Sequence, residues 1–112
     1  MIQSYESTRN SNIKSSASMA VIKGIADDGG LYIMRSLENK RIDIRNLQGQ
    51  TYTETAEIIL GLLLDDFPGE IIKECVQKSY TNKFSTEEIA PVVKVGDDYV
   101  TELFNGPTSA FK

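Results

Sequence analysis

The fold is constrained most by a stretch of apolar residues at helical spacing in the middle of the chain. After Glu54 these residues recur every three or four positions, as one face of an α-helix requires: Ala56, Ile59, Leu60, Leu63, Leu64 and Phe67. Ile58 and Leu62 widen this face, so we expect a helix that is buried on more than one side and forms the core of the domain. Thr53 is predicted to cap its start, with Tyr52 packing onto the first turn.

A second helix is predicted directly after the first. Pro68 ends the first helix and stands near the first position of the next one, where its missing N–H has no cost. Ile72, Cys75, Val76 and Ser79 then fall on one face. We therefore expect Cys75 to be a small buried side chain and not a reactive thiol.

Shorter elements are predicted on the N-terminal side. Residues 2–9 suit a short strand or an extended arm, and Ser15 or Ser16 can cap a helix that Gly24 ends. The run Asp27-Asp28-Gly29-Gly30 predicts a turn, which leads into a strand at 31–33. Two adjacent aspartates could suggest a metal site. Their spacing does not match a calcium loop, so we expect them to cap the turn.

The C-terminal part is predicted to form a β-hairpin. Its strands are Val92–Val95 and Tyr99–Leu103, joined by the three-residue loop Gly96-Asp97-Asp98. Before the hairpin, Ser85 and Glu88 stand at capping-box spacing and predict one helical turn. The chain is therefore predicted to have an α/β mixed (α+β) fold, a small helical domain with a β-hairpin and short edge strands.

Composition excludes several classes of function. The 112 residues suffice for one domain, and a net charge of −4 gives no positive surface for nucleic acid. No apolar run approaches the roughly 20 residues of a membrane span, and the N-terminus lacks the pattern of a signal peptide. A single cysteine, Cys75, cannot form an internal disulfide, which fits a reducing cytoplasm. Because the chain has no histidine, imidazole catalysis is excluded and no metal site is expected.

The last twelve residues carry the strongest chemical signal. The second predicted strand breaks at Asn105-Gly106-Pro107, and the chain continues through small and hydroxyl residues to Lys112. A lysine after such a turn is what a pyridoxal phosphate enzyme needs. Its amine must reach an aldehyde while backbone N–H groups approach a phosphate. Spacing alone leaves open the alternative that Lys112 is a solvated end.

A second group of candidate binding residues lies near the start of the chain. Ser7, Thr8 and Arg9 offer two hydroxyls and a guanidinium, which together can grip a carboxylate or a phosphate. The alternative is a turn that carries an exposed arginine.

Four stretches, in the same order, resemble the threonine synthase family and cover nearly the whole chain. They are Tyr5-x-Ser7-Thr8-Arg9, Gly24-Ile25-Ala26-x-Asp28-Gly29-Gly30-Leu31-Tyr32, Thr51-Tyr52-x-Glu54, and Glu102-Leu103-Phe104-x-Gly106-Pro107-Thr108-x-Ala110-Phe111-Lys112. The resemblance implies a threonine synthase N-terminal domain over residues 1 to about 90. Residues from about 91 to 112 would run into the start of the pyridoxal phosphate domain, cut at its catalytic lysine.

The resemblance also implies a reaction and its cofactor. The family converts O-phospho-L-homoserine and water to L-threonine and phosphate by a pyridoxal phosphate-dependent β,γ-replacement. Lys112 would hold the cofactor as a Schiff base and move protons in the full-length enzyme. Asn105 and Thr108 are implied substrate contacts, together with Ser7, Thr8 and Arg9. Asn105 stands where the family usually has His.

The resemblance further implies a partner, the catalytic domain that would follow Lys112. We expect the 112-residue fragment alone neither to bind the cofactor usefully nor to turn over substrate, and to self-associate through exposed apolar surface. Two alternatives are open: a related pyridoxal phosphate phospho-lyase acting on another phosphorylated amino compound, and a non-catalytic interaction module.

Overall fold

The computed structural model describes residues 2–111, which contain both helices and antiparallel strands, as predicted. The helices are α1 (Ala17–Lys23), α2 (Tyr52–Leu63) and α3 (Gly69–Tyr80). The strands are β1 (Tyr5–Ser7), β2 (Lys14–Ser15), β3 (Tyr32–Met34), β4 (Val92–Val95) and β5 (Asp98–Thr101). Short 3-10 turns lie at Leu37–Asn39 and Ile44–Leu47. None of the helices within these residues is long and apolar enough to cross a membrane.

The chain divides into two compact units, one up to Lys73 and one from Glu74 onward, and α3 runs across that division. The first unit holds a three-stranded antiparallel sheet in the order β2-β1-β3. Tyr5 pairs with Ser15 on one side and with Met34 on the other. The buried side chains of this unit are mostly small: Ser7, Ser15, Ser16, Ala17, Ala26, Met34 and Ile72.

Helix α1 begins and ends as its sequence predicts. Ser16 caps its start by accepting a hydrogen bond from the Met19 backbone N–H, and Gly24 follows its end with φ of 70°. Asp66 adds a second cap from beyond the end of α2, because its carboxylate accepts from the Ser18 backbone N–H at 3.0 Å. The segment after α2 therefore fixes where α1 starts.

The predicted cap of α2 is wrong by two residues. Thr51, not Thr53, is the N-cap, and its hydroxyl accepts from the Glu54 N–H while the Glu54 carboxylate accepts from the Thr51 N–H at 2.7 Å. This reciprocal box needs a Glu three residues after the cap, which Thr51 has and Thr53 lacks. Tyr52 is consequently the first helical residue, and it is exposed.

The prediction that α2 forms a core buried on more than one side is also wrong. No residue of α2 is buried, and Ile58 and Ile59 are 39% and 40% exposed. The burial of α3 is narrower than predicted as well, since Ile72 and Val76 are buried while Cys75 is exposed. The buried side chains of α3, Ile72 and Val76, are four residues apart and form a narrow strip along the helix. Cys75, three residues after Ile72, lies outside this strip.

The second unit contains the predicted hairpin, with two corrections. Val95 pairs with Asp98, so the loop is the two-residue turn Gly96-Asp97 and not a three-residue loop. Gly96 takes φ of 63°, which a two-residue hairpin turn requires at its first central position. The second strand ends at Thr101 instead of Leu103.

No helical turn forms at the predicted capping box of residues 85–88. The Thr86 hydroxyl donates to the Glu88 carbonyl at 2.6 Å, so this short polar stretch forms a local bend instead.

Candidate functional site

Two motifs in the first unit meet in one structure, which we call the arginine turn: residues 7–9 together with 28–31. The Ser7 hydroxyl donates to the Asp28 carboxylate, with Oγ 2.7 and 2.9 Å from its two oxygens. The same Ser7 Oγ accepts from the Arg9 backbone N–H at 3.1 Å. Ser7 is only 3% exposed, so its hydroxyl supports the turn from inside.

Thr8 and Arg9 complete this turn. The Thr8 Oγ1 accepts from the Leu31 N–H at 3.0 Å, and the Thr8 N–H donates to the Leu31 carbonyl at 2.9 Å. The Arg9 Nη1 donates to the Asp28 carbonyl oxygen at 3.0 Å. Both Arg9 and Thr8 are exposed. The structure therefore brings all three N-terminal candidates together, with both hydroxyls already engaged.

The glycines of the turn are required by close contacts. A Cβ on Gly30 would lie 2.1 Å from Ser7 Oγ, so either the buried Ser7 hydroxyl or the backbone of the turn would have to move. Gly29 has φ of 76°, and a Cβ there would lie 2.9 Å from Arg9 Nη1. The Asp-Gly-Gly sequence thus lets β1 and the following turn approach each other more closely than larger residues would permit.

Asp28 holds the turn through its carboxylate. That group accepts from Ser7 Oγ and from the Gly30 N–H at 2.9 Å, and the Ser7 bond is the main reason the pKa of Asp28 is lowered. The prediction that the aspartates cap a turn is confirmed for Asp28, while Asp27 pairs with Lys23 at 2.9 Å. Among residues 2–111 no group of three or more potential metal ligands comes together.

The second candidate region is the lysine segment, residues 101–112, of which the structure describes 101–111. Ser85 anchors its start, since the Ser85 N–H donates to the Asn105 carbonyl at 2.9 Å. The Ser85 hydroxyl also lies 3.3 Å from Asn105 Oδ1. The Asn105 Nδ2 is buried and has no hydrogen-bond partner within the described part of the chain.

After Asn105 the segment makes a tight turn. The Ser109 N–H donates to the Gly106 carbonyl at 3.0 Å, and Ser109 takes φ of 53°. A Cβ on Gly106 would come 3.0 Å from the edge of the Phe84 ring. Thr108 and Ser109 are exposed. Lys112, the predicted catalytic and cofactor-binding residue, lies outside the described residues.

Three residues that support the two candidate regions were not predicted from the sequence as part of the site: Asp28, Phe84 and Ser85. Asp28 could have been found from its Asp-Gly-Gly context, because a carboxylate before two glycines is a strong turn former. Ser85 and Phe84 precede Asn105 by about twenty positions, and no spacing pattern links them to it. Such contacts depend on how residues 81–91 return to the hairpin, which local sequence does not encode.

Comparison with known proteins identifies the family of this chain. Residues 4–80 match the family described as Threonine synthase N terminus. The chain is 37% identical over 100 residues to Threonine synthase-like 1 of Homo sapiens, covering 85% of this chain and 14% of that protein. It is 35% identical over 118 residues to the threonine synthase of Methylobacillus glycogenes, covering 96% of this chain and 25% of that protein.

The structural comparison points the same way. A PLP-bound threonine synthase from Brucella melitensis superposes with a TM-score of 0.80 at 32% identity, covering 98% of this chain and 24% of that one. The Escherichia coli threonine synthase gives a TM-score of 0.75 at 25% identity. The chain spans about a quarter or less of the length of these relatives. On these matches of sequence and fold, the chain belongs to the threonine synthase family, and residues 4–80 are the part that corresponds to the family's N terminus.

Proposed function

We propose that this chain serves as the N-terminal part of a threonine synthase, which converts O-phospho-L-homoserine and water to L-threonine and phosphate. The match of residues 4–80 to the family's N terminus carries this proposal. The relative from Methylobacillus glycogenes, which aligns with 96% of the chain, extends the similarity into the lysine segment. In this proposal residues up to about 90 form the N-terminal domain, and residues from about 91 lead into a pyridoxal phosphate domain.

The residues before Lys112 suit a pyridoxal phosphate site. The turn closed between Gly106 and Ser109 leaves the hydroxyl-bearing Thr108 and Ser109 exposed, so the chain leading to Lys112 is not packed away. Hydroxyl and backbone N–H donors are the groups that bind a phosphate-bearing cofactor. When bound, pyridoxal phosphate supplies an electron sink for the bond changes at the substrate's β and γ carbons. Lys112 would hold the cofactor, and its Nζ would accept and return protons.

Substrate contacts are proposed for both regions. In the lysine segment, Asn105 and Thr108 are the proposed contacts, since each carries a hydrogen-bonding side chain within seven residues of Lys112. In the arginine turn, Arg9 and Thr8 are the proposed direct contacts, since Thr8 Oγ1 accepts from the Leu31 N–H and still has its own O–H to donate. Ser7 acts through its bond to the Arg9 backbone N–H, because its hydroxyl already donates to Asp28.

A catalytic domain of the same enzyme is the proposed partner of the second unit. Both faces of the hairpin are exposed and carry apolar side chains: Val92, Val93, Val95, Tyr99 and Val100. A two-stranded hairpin with both faces open is only marginally stable alone, so a covering domain would stabilise it. The isolated chain is therefore expected to be inactive and to self-associate. Its single cysteine and its biosynthetic reaction favour a reducing, cytoplasmic compartment.

A hybrid enzyme tests the proposed function. Residues 1–112 of this chain replace the matching part of the Methylobacillus glycogenes threonine synthase, and phosphate release from O-phospho-L-homoserine is measured. We expect the hybrid to release phosphate, because the exchanged parts align over 96% of this chain. Lys112→Ala in the hybrid is expected to lower kcat by about a thousandfold, as loss of a catalytic acid–base does.

Lys94→Ala is the matched control, since Lys94 is an exposed lysine on β4 whose contact is with the Tyr99 ring at 6.0 Å. A hybrid that binds the cofactor, shown by its visible absorbance, yet releases no phosphate would contradict the proposal. If the larger hybrid does not fold, an exchange of residues 101–112 alone tests the lysine segment. Phosphate release by the isolated chain would contradict the prediction that it is inactive.

Substrate length distinguishes this reaction from that of a related phospho-lyase. The hybrid is offered O-phospho-L-homoserine and analogues one carbon shorter and one carbon longer. We expect O-phospho-L-homoserine to give the largest kcat/KM, and a preference for either analogue would favour the alternative enzyme.

A further inference from the structure

The arginine turn holds one cation, Arg9, that makes no ion pair among residues 2–111, although the Asp28 carboxylate interacts with it electrostatically. Two other arginines of this unit form ion pairs: Arg35 lies 2.9 Å from a Glu6 carboxylate oxygen, and Arg45 lies 2.7 Å from one of Asp43. Arg9 instead donates to a neutral acceptor, the Asp28 carbonyl. Among residues 2–111 no carboxylate oxygen lies within 4 Å of its guanidinium nitrogens. Its charge is thus available to an external anion.

The position of the Arg9 side chain is held by one direct hydrogen bond from its guanidinium and by a second one that fixes its backbone. Its Nη1 is fixed by the Asp28 carbonyl, and the Gly29 Cα passes so close that a Cβ would come within 2.9 Å of Nη1. The Arg9 backbone N–H is fixed by Ser7 Oγ, which is itself held by the Asp28 carboxylate. A guanidinium has five N–H donors in a rigid fork. Within residues 2–111 the one hydrogen bond of the Arg9 guanidinium, from Nη1 to the Asp28 carbonyl, uses one of them and leaves the others for a ligand.

Most of the other polar groups around Arg9 form hydrogen bonds within the turn. Ser7 Oγ, Thr8 Oγ1 and the Asp28 carboxylate all bond inside it. The backbone N–H groups of Thr8, Gly29 and Leu31 also donate within the first unit. An incoming ligand would therefore meet the Arg9 guanidinium and the exposed Thr8 O–H as donor groups, and the rest of the turn as their support.

We infer that Arg9 binds an oxyanion of the substrate, and that Asp28 is a positioning residue that sets the guanidinium for this contact. The inference rests on the proposed function, and O-phospho-L-homoserine carries two such groups, a phosphate and a carboxylate. Both accept the paired N–H donors of a guanidinium. Asp28 acts through its carbonyl bond to Arg9 and through the Ser7 bond that holds the Arg9 backbone.

Anion titration of the 112-residue chain, followed by ¹H–¹⁵N NMR, tests the contact without any requirement for catalysis. Inorganic phosphate is expected to shift the backbone signals of Gly29 and Gly30 together with the side-chain Nε–H of Arg9. Arg9→Ala should weaken phosphate binding by about tenfold, and Arg9→Lys by less, because lysine keeps the charge but loses the fork. Arg41→Ala is the matched control, since Arg41 is exposed and forms no ion pair among residues 2–111.

Asp28→Asn tests the positioning role. We expect it to weaken phosphate binding by about threefold, because an amide replaces the anionic acceptor that holds Ser7, and this loss outweighs the removal of a negative charge near the bound anion. Equal binding by the Asp28→Asn variant and the unaltered chain would overturn that role. Equal binding by Arg9→Ala and Arg41→Ala, or phosphate-induced shifts that bypass the turn, would overturn the anion contact. A dispersed spectrum of each variant establishes that it is folded.

Two further comparisons identify the anionic group and separate this inference from the proposed function. Stronger binding of phosphate than of acetate would assign Arg9 to the substrate phosphate, and the reverse would assign it to the carboxylate. In the hybrid enzyme, Arg9→Ala should raise the KM for O-phospho-L-homoserine about tenfold with little change in kcat. An unchanged KM would overturn the substrate contact. An inactive hybrid would count against the proposed function, whereas the anion titration would still decide whether Arg9 binds an oxyanion.

Discussion

The arginine turn and the lysine segment use the same kinds of residue in opposite ways. Each combines glycine with serine or threonine. In the arginine turn the Ser7 hydroxyl is buried and makes three hydrogen bonds of 3.1 Å or less. In the lysine segment Thr108 and Ser109 are exposed, and the anchor at Ser85 makes side-chain contacts of 3.3 Å. A residue of the same type, serine, is therefore buried and hydrogen-bonded within a turn in one region, and exposed at the surface in the other.

The difference separates a buried side chain that holds a turn together from exposed side chains that precede Lys112 in the sequence. In the arginine turn the hydroxyls form hydrogen bonds within the turn, and the glycines allow its segments to approach closely around the Arg9 guanidinium. The lysine segment has its Thr108 and Ser109 hydroxyls at the surface, and its buried Asn105 amide nitrogen has no hydrogen-bond partner among residues 2–111. A buried donor with no partner costs about 1–3 kcal/mol, so this segment is the region that would gain most from a bound cofactor or covering domain.

The glycines give the largest expected contrast between the two regions. Gly30→Ala is expected to lower the free energy of unfolding by about 3 kcal/mol, because the new Cβ would lie 2.1 Å from the buried Ser7 Oγ. Gly106→Ala should cost less, about 1 kcal/mol, since the nearest atom is the edge of the half-buried Phe84 ring at 3.0 Å, and this ring can shift.

Urea unfolding of both variants, followed by the NMR signals of each region, measures this contrast. The signals of Thr8 and Leu31 report on the arginine turn, and those of Val93 and Val100 report on the hairpin. Equal losses for the two substitutions would show that the close approach at Gly30 is relieved by movement of the turn, and the comparison between a rigid and an open region would fail.

A smaller contrast is expected for the two serines. Ser7→Ala removes the hydrogen bonds to the Asp28 carboxylate and the acceptor of the Arg9 N–H, and should lower the free energy of unfolding by about 2 kcal/mol. Ser85→Ala removes only contacts of 3.3 Å at an exposed side chain, so it should cost less than about 0.5 kcal/mol. The same urea measurement applies, and a larger effect at Ser85 would reverse the assignment.

Local signals in the sequence predicted much of the fold. Ser16 and Gly24 bound α1, and Gly96 forms the hairpin turn, because capping and turn formation depend on a few adjacent residues. The Thr53 cap failed because two threonines compete at the start of α2. The position of Glu54 relative to Thr51 decides between them.

Burial was predicted less well than secondary structure. The apolar face of α2 has the pattern of a core helix, yet Ile58 and Ile59 remain exposed in this chain. Periodicity shows which side of a helix is apolar, but not what covers it. For the site, Ser7, Thr8 and Arg9 were predicted as one group from their adjacent positions. The sequence could not show that the two hydroxyls bond within the turn, because Asp28 and Leu31 are about twenty residues away.

The pH dependence of stability gives the smallest effect, because the carboxylates concerned are close to solvent. The bond from Ser7 lowers the pKa of Asp28 below its ordinary value of 3.8, so the unfolded chain binds more protons than the native chain in this range. Asp28 therefore contributes stability above about pH 4, and this contribution is lost as the pH falls below that value. In Asp28→Asn the position no longer titrates.

We expect the difference in unfolding free energy between the original chain and Asp28→Asn to be constant from about pH 7 to pH 5 and to shrink toward pH 3. Urea unfolding at each pH measures it. The lysine segment provides an internal reference, because Ser85→Ala alters no contact with a carboxylate and its small difference should not change with pH. A constant difference for Asp28→Asn down to pH 3 would mean that the carboxylate is not held by Ser7 and Gly30. The arginine turn would then rest on its backbone contacts alone, and Arg9 would lose the support on which its anion contact depends.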